Sequence, residues 1–450
     1  MATGHLSEED LKALYIGKDI ANLPRPCAVL DAAILRRNCD KMRRAMKALN
    51  VGFRAHVKTH KLTIQTWQVT QLQMGEENTD VNLVASTVNE IEHLVVLLKD
   101  FKAKGRRINV LYGIPLVPSQ VPRLAQLACE LGEGSISVMI DHPDQLSYLE
   151  RFSAITHFPA CVFLKVDTGY HRAGLPPIAL NKNGLLEKLA DAEKLGFARL
   201  LGVYSHSSLS YSGTTPQQAM AHLTSEIIGC RDAVQHHQHL LPHRKLVLSV
   251  GATPQAAAMQ NLVQERKPTP ETKALKDLLR CPLPSTDLEI ELHAGNYAVL
   301  DMQQLETNAD ARGNPEEEIA ISVIAEVCSL YNDGERSRPE ALLAAGTLAL
   351  GREPCHSYSG WGVVGNWRRA TATPRLIVGR ISQEHSIVSW EMESDEIPKI
   401  PLEISQAVRI YPNHACITGA MYGWYWIVDS SLDDGSKIVD VWMRASGYRT

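Results

Sequence analysis

A TIM (β/α)8 barrel followed by a C-terminal all-β domain is the fold this 450-residue sequence predicts. Three observations point there. Short apolar runs recur between about residues 53 and 293, most of them followed by an amphipathic stretch, and such alternation signals parallel βαβ units. There are eight of these runs over roughly 250 residues, which suits a barrel better than an open sheet. From about residue 315 the texture changes to β-rich runs separated by Gly, Pro and Asn turns.

The elements follow in order. Residues 1–25 read as a short helix and then a Pro-flanked turn, Pro24 and Pro26. Cys27–Leu30 is a strand, and Asp31 is the expected N-cap of a helix with the basic face Arg36, Arg37, Lys41, Arg43 and Arg44. The eight barrel strands are expected at Phe53–Lys58, Leu83–Ser86, Ile108–Gly113, Ile136–Asp141, Cys161–Asp167, Leu200–His206, Leu246–Val250 and Leu288–His293. Helices are expected at Val88–Phe101, Val121–Leu131, Gln145–Phe152, Leu185–Leu195 and Pro216–His239. Ile319–Leu330, Arg375–Ile381, Ile387–Glu393, Ala407–Tyr411, Tyr425–Val428 and Lys437–Arg444 supply the β domain. The expected division is an N-terminal segment, 1–27, packing with the β domain; a barrel, 28–308; and the β domain, 309–450.

Composition narrows the function classes. Apolar residues make up 44% of the chain and charged residues 21%, as in an ordinary globular protein. The net charge is −4 with no block of like charges, so neither nucleic acid nor an anionic membrane is an expected partner. The acidic start, with Glu8, Glu9 and Asp10, lacks the basic and apolar regions of a secretion signal. No uncharged apolar run reaches the ~18 residues of a membrane span. Nine cysteines are scattered singly, which fits free thiols in a reducing compartment, and the cytoplasm is the expected location.

The chemistry is concentrated where a barrel keeps it, at the C-terminal ends of strands. Arg54-Ala55-His56-Val57-Lys58-Thr59-His60-Lys61 crowds lysines and histidines at the end of the first strand. A lysine in such surroundings can form a Schiff base with a carbonyl cofactor, against the alternative of a basic surface strand. Gly251-Ala252-Thr253 and Gly295-Asn296, after the seventh and eighth strands, suit a phosphate, because small residues let backbone N–H groups approach an anion and Thr253 adds a hydroxyl. Together with Lys58 they point to pyridoxal phosphate (PLP). His206 is placed to stack on or bond a planar cofactor, and the Arg172 fork to hold a cofactor oxygen or a carboxylate. His414-Ala415-Cys416 is the second signal. On a strand or extended turn, residues i and i+2 face the same way, and imidazole with thiolate favours zinc.

Two other patterns carry less. Gly360-Trp361-Gly362-Val363-Val364-Gly365 formally fits a dinucleotide fingerprint but lacks the preceding strand and following helix. His236, His237, His239 and His243 gather at a helix C-terminus, where histidine suits the negative dipole end.

The segments His56–Lys61, Lys165-Val166-Asp167-Thr168-Gly169-Tyr170-His171-Arg172-Ala173-Gly174, Gly202–His206, Ser249–Pro254, Glu291–Tyr297 and Pro412–Cys416 resemble, in order, the fold-type III (alanine racemase-like) PLP enzymes. Among these the chain is most similar to the eukaryotic-type D-serine dehydratases and their D-threonine aldolase relatives. The resemblance implies that Lys58 carries PLP and that Thr253, Gly295 and Asn296 bind its phosphate. It also implies that Tyr204 and Tyr211 line the pocket, that His414 and Cys416 ligate zinc, and that the chain is a homodimer. Many racemase-like relatives set an arginine against the pyridine nitrogen, where this sequence offers His293. The aldolase branch uses aspartate as its second metal ligand, so Cys416 favours a dehydratase. The expected reaction is β-elimination from D-serine to pyruvate and ammonia. The alternatives are D-threonine aldolase or D-3-hydroxyaspartate dehydratase chemistry on the same site, with His206 as a candidate base, and a non-catalytic PLP-binding protein.

Overall fold

The structure, a computed structural model, describes residues 6–63, 67–77, 79–264, 269–280, 287–310, 313–367, 374–394 and 396–445. Eight parallel strands close into a barrel: Gly52–His56, Val81–Ala85, Ile108–Pro115, Ile136–Ile140, Ala160–Lys165, Ala198–Tyr204, Leu246–Val250 and Leu288–Ala294. Closure is made where Gly52–Ala55 pairs with Glu291–Ala294. The strands are short and mostly buried, because crossover helices such as Val88–Ala103, Val121–Leu131 and Pro216–His236 cover their outer faces. Inward side chains from five successive strands, Val84, Leu111, Met139, Phe163 and Tyr204, plug the barrel interior.

The other sheet has nine strands. Its order is Glu340–Leu343, Ser386–Trp390, Leu376–Ile381, Gly362–Val364, Ala407–Pro412, Ile321–Tyr331, Cys27–Asp31, Trp424–Val428 and Asp440–Met443. Every pairing is antiparallel except that of Cys27–Asp31 with Trp424–Val428. Glu340–Leu343 also pairs with Ile321–Tyr331, so six of the strands curl back on themselves.

Packing divides the chain into two units. One is essentially Asp40–Gly295; the other joins Met1–Cys39, Asn296–Glu306 and Arg312–Ser446. These limits differ from the expected 28–308 for the barrel. Cys27–Asp31 is buried at all five positions, between Ile321–Tyr331 and Trp424–Val428, so its hydrogen-bond ladder belongs to the β sheet. Asp31 begins the helix Ala32–Leu49 as expected: its Oδ1 accepts the Ala33 N–H at 2.9 Å and the Ile34 N–H at 3.3 Å. Two short strands, Glu340–Leu343 and Gly362–Val364, have no counterpart in the sequence reading. The second occupies the Gly-rich pattern, which therefore makes no strand–turn–helix phosphate loop. Two loops that the sequence leaves free to reshape a pocket are 264–284 and 352–366; the second is described, whereas 265–268 and 281–284 of the first lie outside the described residues. No helix among the described residues is long and apolar enough to cross a membrane.

Candidate active site

The first barrel strand stops at His56, two residues short of the expected end. Lys58 sits on the next turn, which the Lys61 N–H closes by donating to the Val57 carbonyl at 3.2 Å. This turn sorts the basic run. Arg54 Nε donates to Glu291 Oε1 at 2.6 Å inside the barrel. His56 is engaged on both ring nitrogens, Nδ1 accepting the Lys58 N–H at 3.3 Å and Nε2 meeting Ser86 Oγ at 3.4 Å. His60 Nε2 meets Gln73 Oε1 at 3.2 Å, and Lys61 pairs with Glu90 at 3.0 Å. Among the described residues, no hydrogen bond or ion pair holds the Lys58 amine.

Gly295 packs on this turn, for a Cβ there would lie 3.1 Å from His56 Cβ and 3.6 Å from Thr59 Oγ1. Gly251, at φ +127°, makes the other close turn; a Cβ on it would come within 2.9 Å of the His293 carbonyl oxygen. The turn leads directly into the helix Thr253–Gln264, whose first residue, Thr253, is buried. A helix start of this kind offers free N–H groups and a hydroxyl to an anion.

His206 Nδ1 donates to the Gly251 carbonyl at 2.8 Å, which leaves Nε2 without a proton. Burial first, then the Lys58 and Arg172 charges, press its pKa down to about 3. His56 and His293 are likewise held far below the ordinary range by burial. The His293 ring stacks on Tyr204 at 4.2 Å and lies 5.7 Å from His206. Arg172 is exposed, over the Tyr170 ring at 5.4 Å. It follows a tight loop in which Asp167 accepts the N–H groups of Gly169 and His171, each at 3.0 Å. Tyr211 is half-buried on the short turn Ser208–Ser212.

The structure therefore gathers Lys58, His206, Tyr204, Gly251, Thr253 and Gly295 at the C-terminal end of the barrel, and they fit PLP. They offer a free amine for the aldehyde, flat rings for the pyridine and a helix start for the phosphate. Asn296 Nδ2 gives one of its two hydrogens to Asp301 Oδ2 at 2.5 Å, which leaves its second amide hydrogen and its backbone N–H as donors.

Sequence reasoning missed a polar relay through the barrel. Ser137 Oγ donates to Asn109 Oδ1, Arg54 reaches the same oxygen at 2.8 Å, and Ser249 Oγ donates to Glu291 Oε1 at 2.9 Å and meets His293 Nδ1 at 3.2 Å. The period-two spacing of Glu291 and His293 on one strand is the signal that could have found part of it.

His414 and Cys416 are not on a strand. His414 is the N-cap of a short helix, Ala415–Ala420, and Cys416 lies in its first turn. The buried small residues Ala415 and Gly419 let this helix pack closely, with Gly419 tight against the Tyr425 hydroxyl. His414 Nδ1 donates to Gln303 Oε1 at 2.9 Å, which frees Nε2 as a metal donor. Against burial, which lowers it, a hydrogen bond donated to Cys416 and the charge of Asp301 hold the His414 pKa at about 9, so Nε2 becomes a metal donor on losing that proton. Imidazole and thiol are thus in mutual contact and fit a zinc ion. Among the described residues no group of three or more His, Cys, Asp or Glu side chains is arranged around a common metal position.

Comparison with known proteins adds the lineage. Residues 30–266 match the alanine racemase N-terminal domain family, and 320–428 match a serine dehydratase domain family. The class is thus that of the alanine racemase-like enzymes, a barrel followed by a β domain. A D-serine dehydratase of Schizosaccharomyces pombe is 33% identical over 99% of this chain and 97% of its own. One from Dictyostelium discoideum is 29% identical over 92% and 95%. The solved D-threo-3-hydroxyaspartate dehydratase of Delftia sp. HT23 superposes with a TM-score of 0.72 at 25% identity, covering 96% of this chain and all of that one. The chain belongs to the D-serine dehydratase family of enzymes.

Proposed function

We propose that this enzyme is a PLP- and zinc-dependent D-serine dehydratase that converts D-serine to pyruvate and ammonia by β-elimination. The observation that carries this reading is Lys58: in a run where every other basic side chain is engaged, its amine alone is left for a carbonyl. When bound, PLP supplies an electron sink for the α-carbon, and zinc supplies a Lewis acid for a departing β-hydroxyl.

The chain's own residues do the rest. Lys58 would hold the cofactor through its amine and, as the free amine, would take the proton from the substrate Cα. The helix start at Thr253 and the Gly295 turn bind the phosphate, and Tyr204, Tyr211 and His206 wall the ring. Arg172 binds a carboxylate or cofactor oxygen. His414 Nε2 and Cys416 Sγ hold zinc. The reading includes a homodimer working in the cytoplasm.

A second reading, D-threonine aldolase or D-3-hydroxyaspartate dehydratase chemistry, uses the same residues. Retro-aldol cleavage needs a base for the β-hydroxyl, and a His206 held near pKa 3 is a poor one. A non-catalytic PLP-binding protein would have no use for the paired His414 and Cys416.

The test is spectroscopic and kinetic. Purified protein should show the visible band of lysine-bound PLP, lost in Lys58→Ala, and Cys416→Ala should lower D-serine turnover. A band that survives Lys58→Ala, or turnover indifferent to both Cys416→Ala and a strong chelator, overturns the assignment.

A further inference from the structure

Asp301 is 0% exposed, and none of the roles above uses it. Its Oδ1 accepts the Gln304 N–H at 3.0 Å and so starts the turn Met302–Glu306. Its Oδ2 accepts two bonds from segments far apart in sequence: Asn296 Nδ2 at 2.5 Å and the Ala415 N–H at 2.7 Å. The same oxygen lies 3.8 Å from His414 Nδ1. Ala415 stands between His414 and Cys416, so Asp301 fixes the backbone on which both are carried. The next turn completes the brace. The Gln303 N–H donates to the Asn413 carbonyl at 3.2 Å, and its side chain binds His414 Nδ1 and the Pro354 carbonyl, the latter at 2.8 Å.

Capping a five-residue turn does not call for a buried charge, because an exposed Ser or Asn serves as well. A carboxylate taken wholly out of water costs several kcal/mol unless its oxygens are fully bonded. Here the bonds that satisfy it run to the Asn296 turn on one side and to the metal pair on the other. We propose that Asp301 is a positioning residue joining these two segments, so that zinc and PLP each strengthen the binding of the other. The inference rests on the two-cofactor reading above. The coupling is reciprocal by thermodynamic necessity: whatever factor PLP adds to zinc affinity, zinc adds to PLP affinity.

The experiment is zinc titration of the full chain against a chromogenic chelator, with and without saturating PLP. It is done for wild type, Asp301→Asn and Asn296→Ala, with circular dichroism and the PLP band followed in parallel. Wild type should bind zinc at least about fivefold tighter with PLP than without. Asp301→Asn should lose about 10–100-fold in zinc affinity, and the dependence on PLP with it. Asn296→Ala keeps the Asp301 bonds to Ala415 and Gln304, so it should retain zinc affinity in the absence of PLP and lose only the coupling. If Asp301→Asn does not fold, Asn296→Ala decides the question. Wild type that loads both cofactors without mutual effect, or variants that keep the wild-type coupling, overturn the inference and leave the dehydratase reading standing. Wild type that takes up neither cofactor overturns both.

Discussion

Arg54 and Glu291 face each other inside the barrel with side chains 3% and 5% exposed. Besides Glu291, Arg54 is bound to the carbonyls of Leu83 and Asn109, each at 3.2 Å. Removing one partner strands a buried charge, so Arg54→Met should cost about 3–5 kcal/mol in chemical denaturation; a loss under ~1 kcal/mol would contradict the buried pair. The three depressed histidines make a pH prediction. His206 binds a proton only below about 3 when folded, against the ordinary 6.5 of histidine. Between those values the unfolded chain binds more protons, so this stability is complete above about 6.5 and is lost as pH falls through the window. For His206 the slope there is about 1.4 kcal/mol per pH unit. His206→Asn should therefore flatten the fall of Tm between neutral and mildly acid pH, and an unchanged slope would count against the buried, neutral ring. Lys58, His414 and Cys416 could be picked out as candidates because each stands in a short run of chemically distinctive neighbours, His56–Lys61 and His414–Cys416. Asp301 and Gln303 were not, since their bonds to Ala415 and His414 span 114 and 111 residues.

The barrel strands were readable as elements because burial on both faces leaves near-continuous apolar runs of the right length. Ile136–Ile140 and Leu246–Val250 lie within a residue of their expected limits, and the helix Val121–Leu131 coincides with its own. The helix Ala415–Ala420 was not readable: six residues contain no helical period, and His-x-Cys looks the same on a strand. Strand Gly362–Val364 was missed because three residues carry no alternation. The turn at Gly251 is the element that would set the phosphate end of the proposed site. Gly251→Ala would combine a strained φ of +127° with a Cβ 2.9 Å from the His293 carbonyl oxygen. It should cost about 1–3 kcal/mol and weaken PLP retention on dialysis, while Gly313→Ala, with open space around it, should do neither.

At the scale of the whole molecule, the N-terminal strand ties the first and last parts of the chain into one sheet. Cys27–Asp31 lies between Ile321–Tyr331 and Trp424–Val428, and Cys27 and Val29 pack with Leu11, Ile20, Trp426 and Val441. Deleting residues 1–31 would leave two long strands with unpaired edges and an open core. The shortened chain should be insoluble or bind a hydrophobic dye strongly, and a soluble, cooperatively unfolding product would refute this role. The β-sheet unit in turn carries the His414–Cys416 helix, on which the proposed zinc role rests. The central claim is β-elimination from D-serine that uses both cofactors. The most direct measurement is product analysis after incubating the PLP-loaded enzyme with D-serine, D-threonine and D-threo-3-hydroxyaspartate, with zinc and after chelation. The account predicts pyruvate and ammonia in equal amounts from D-serine, abolished by chelation and restored by zinc. Glycine plus an aldehyde as the main product, or keto acid formation that persists without metal, would contradict it.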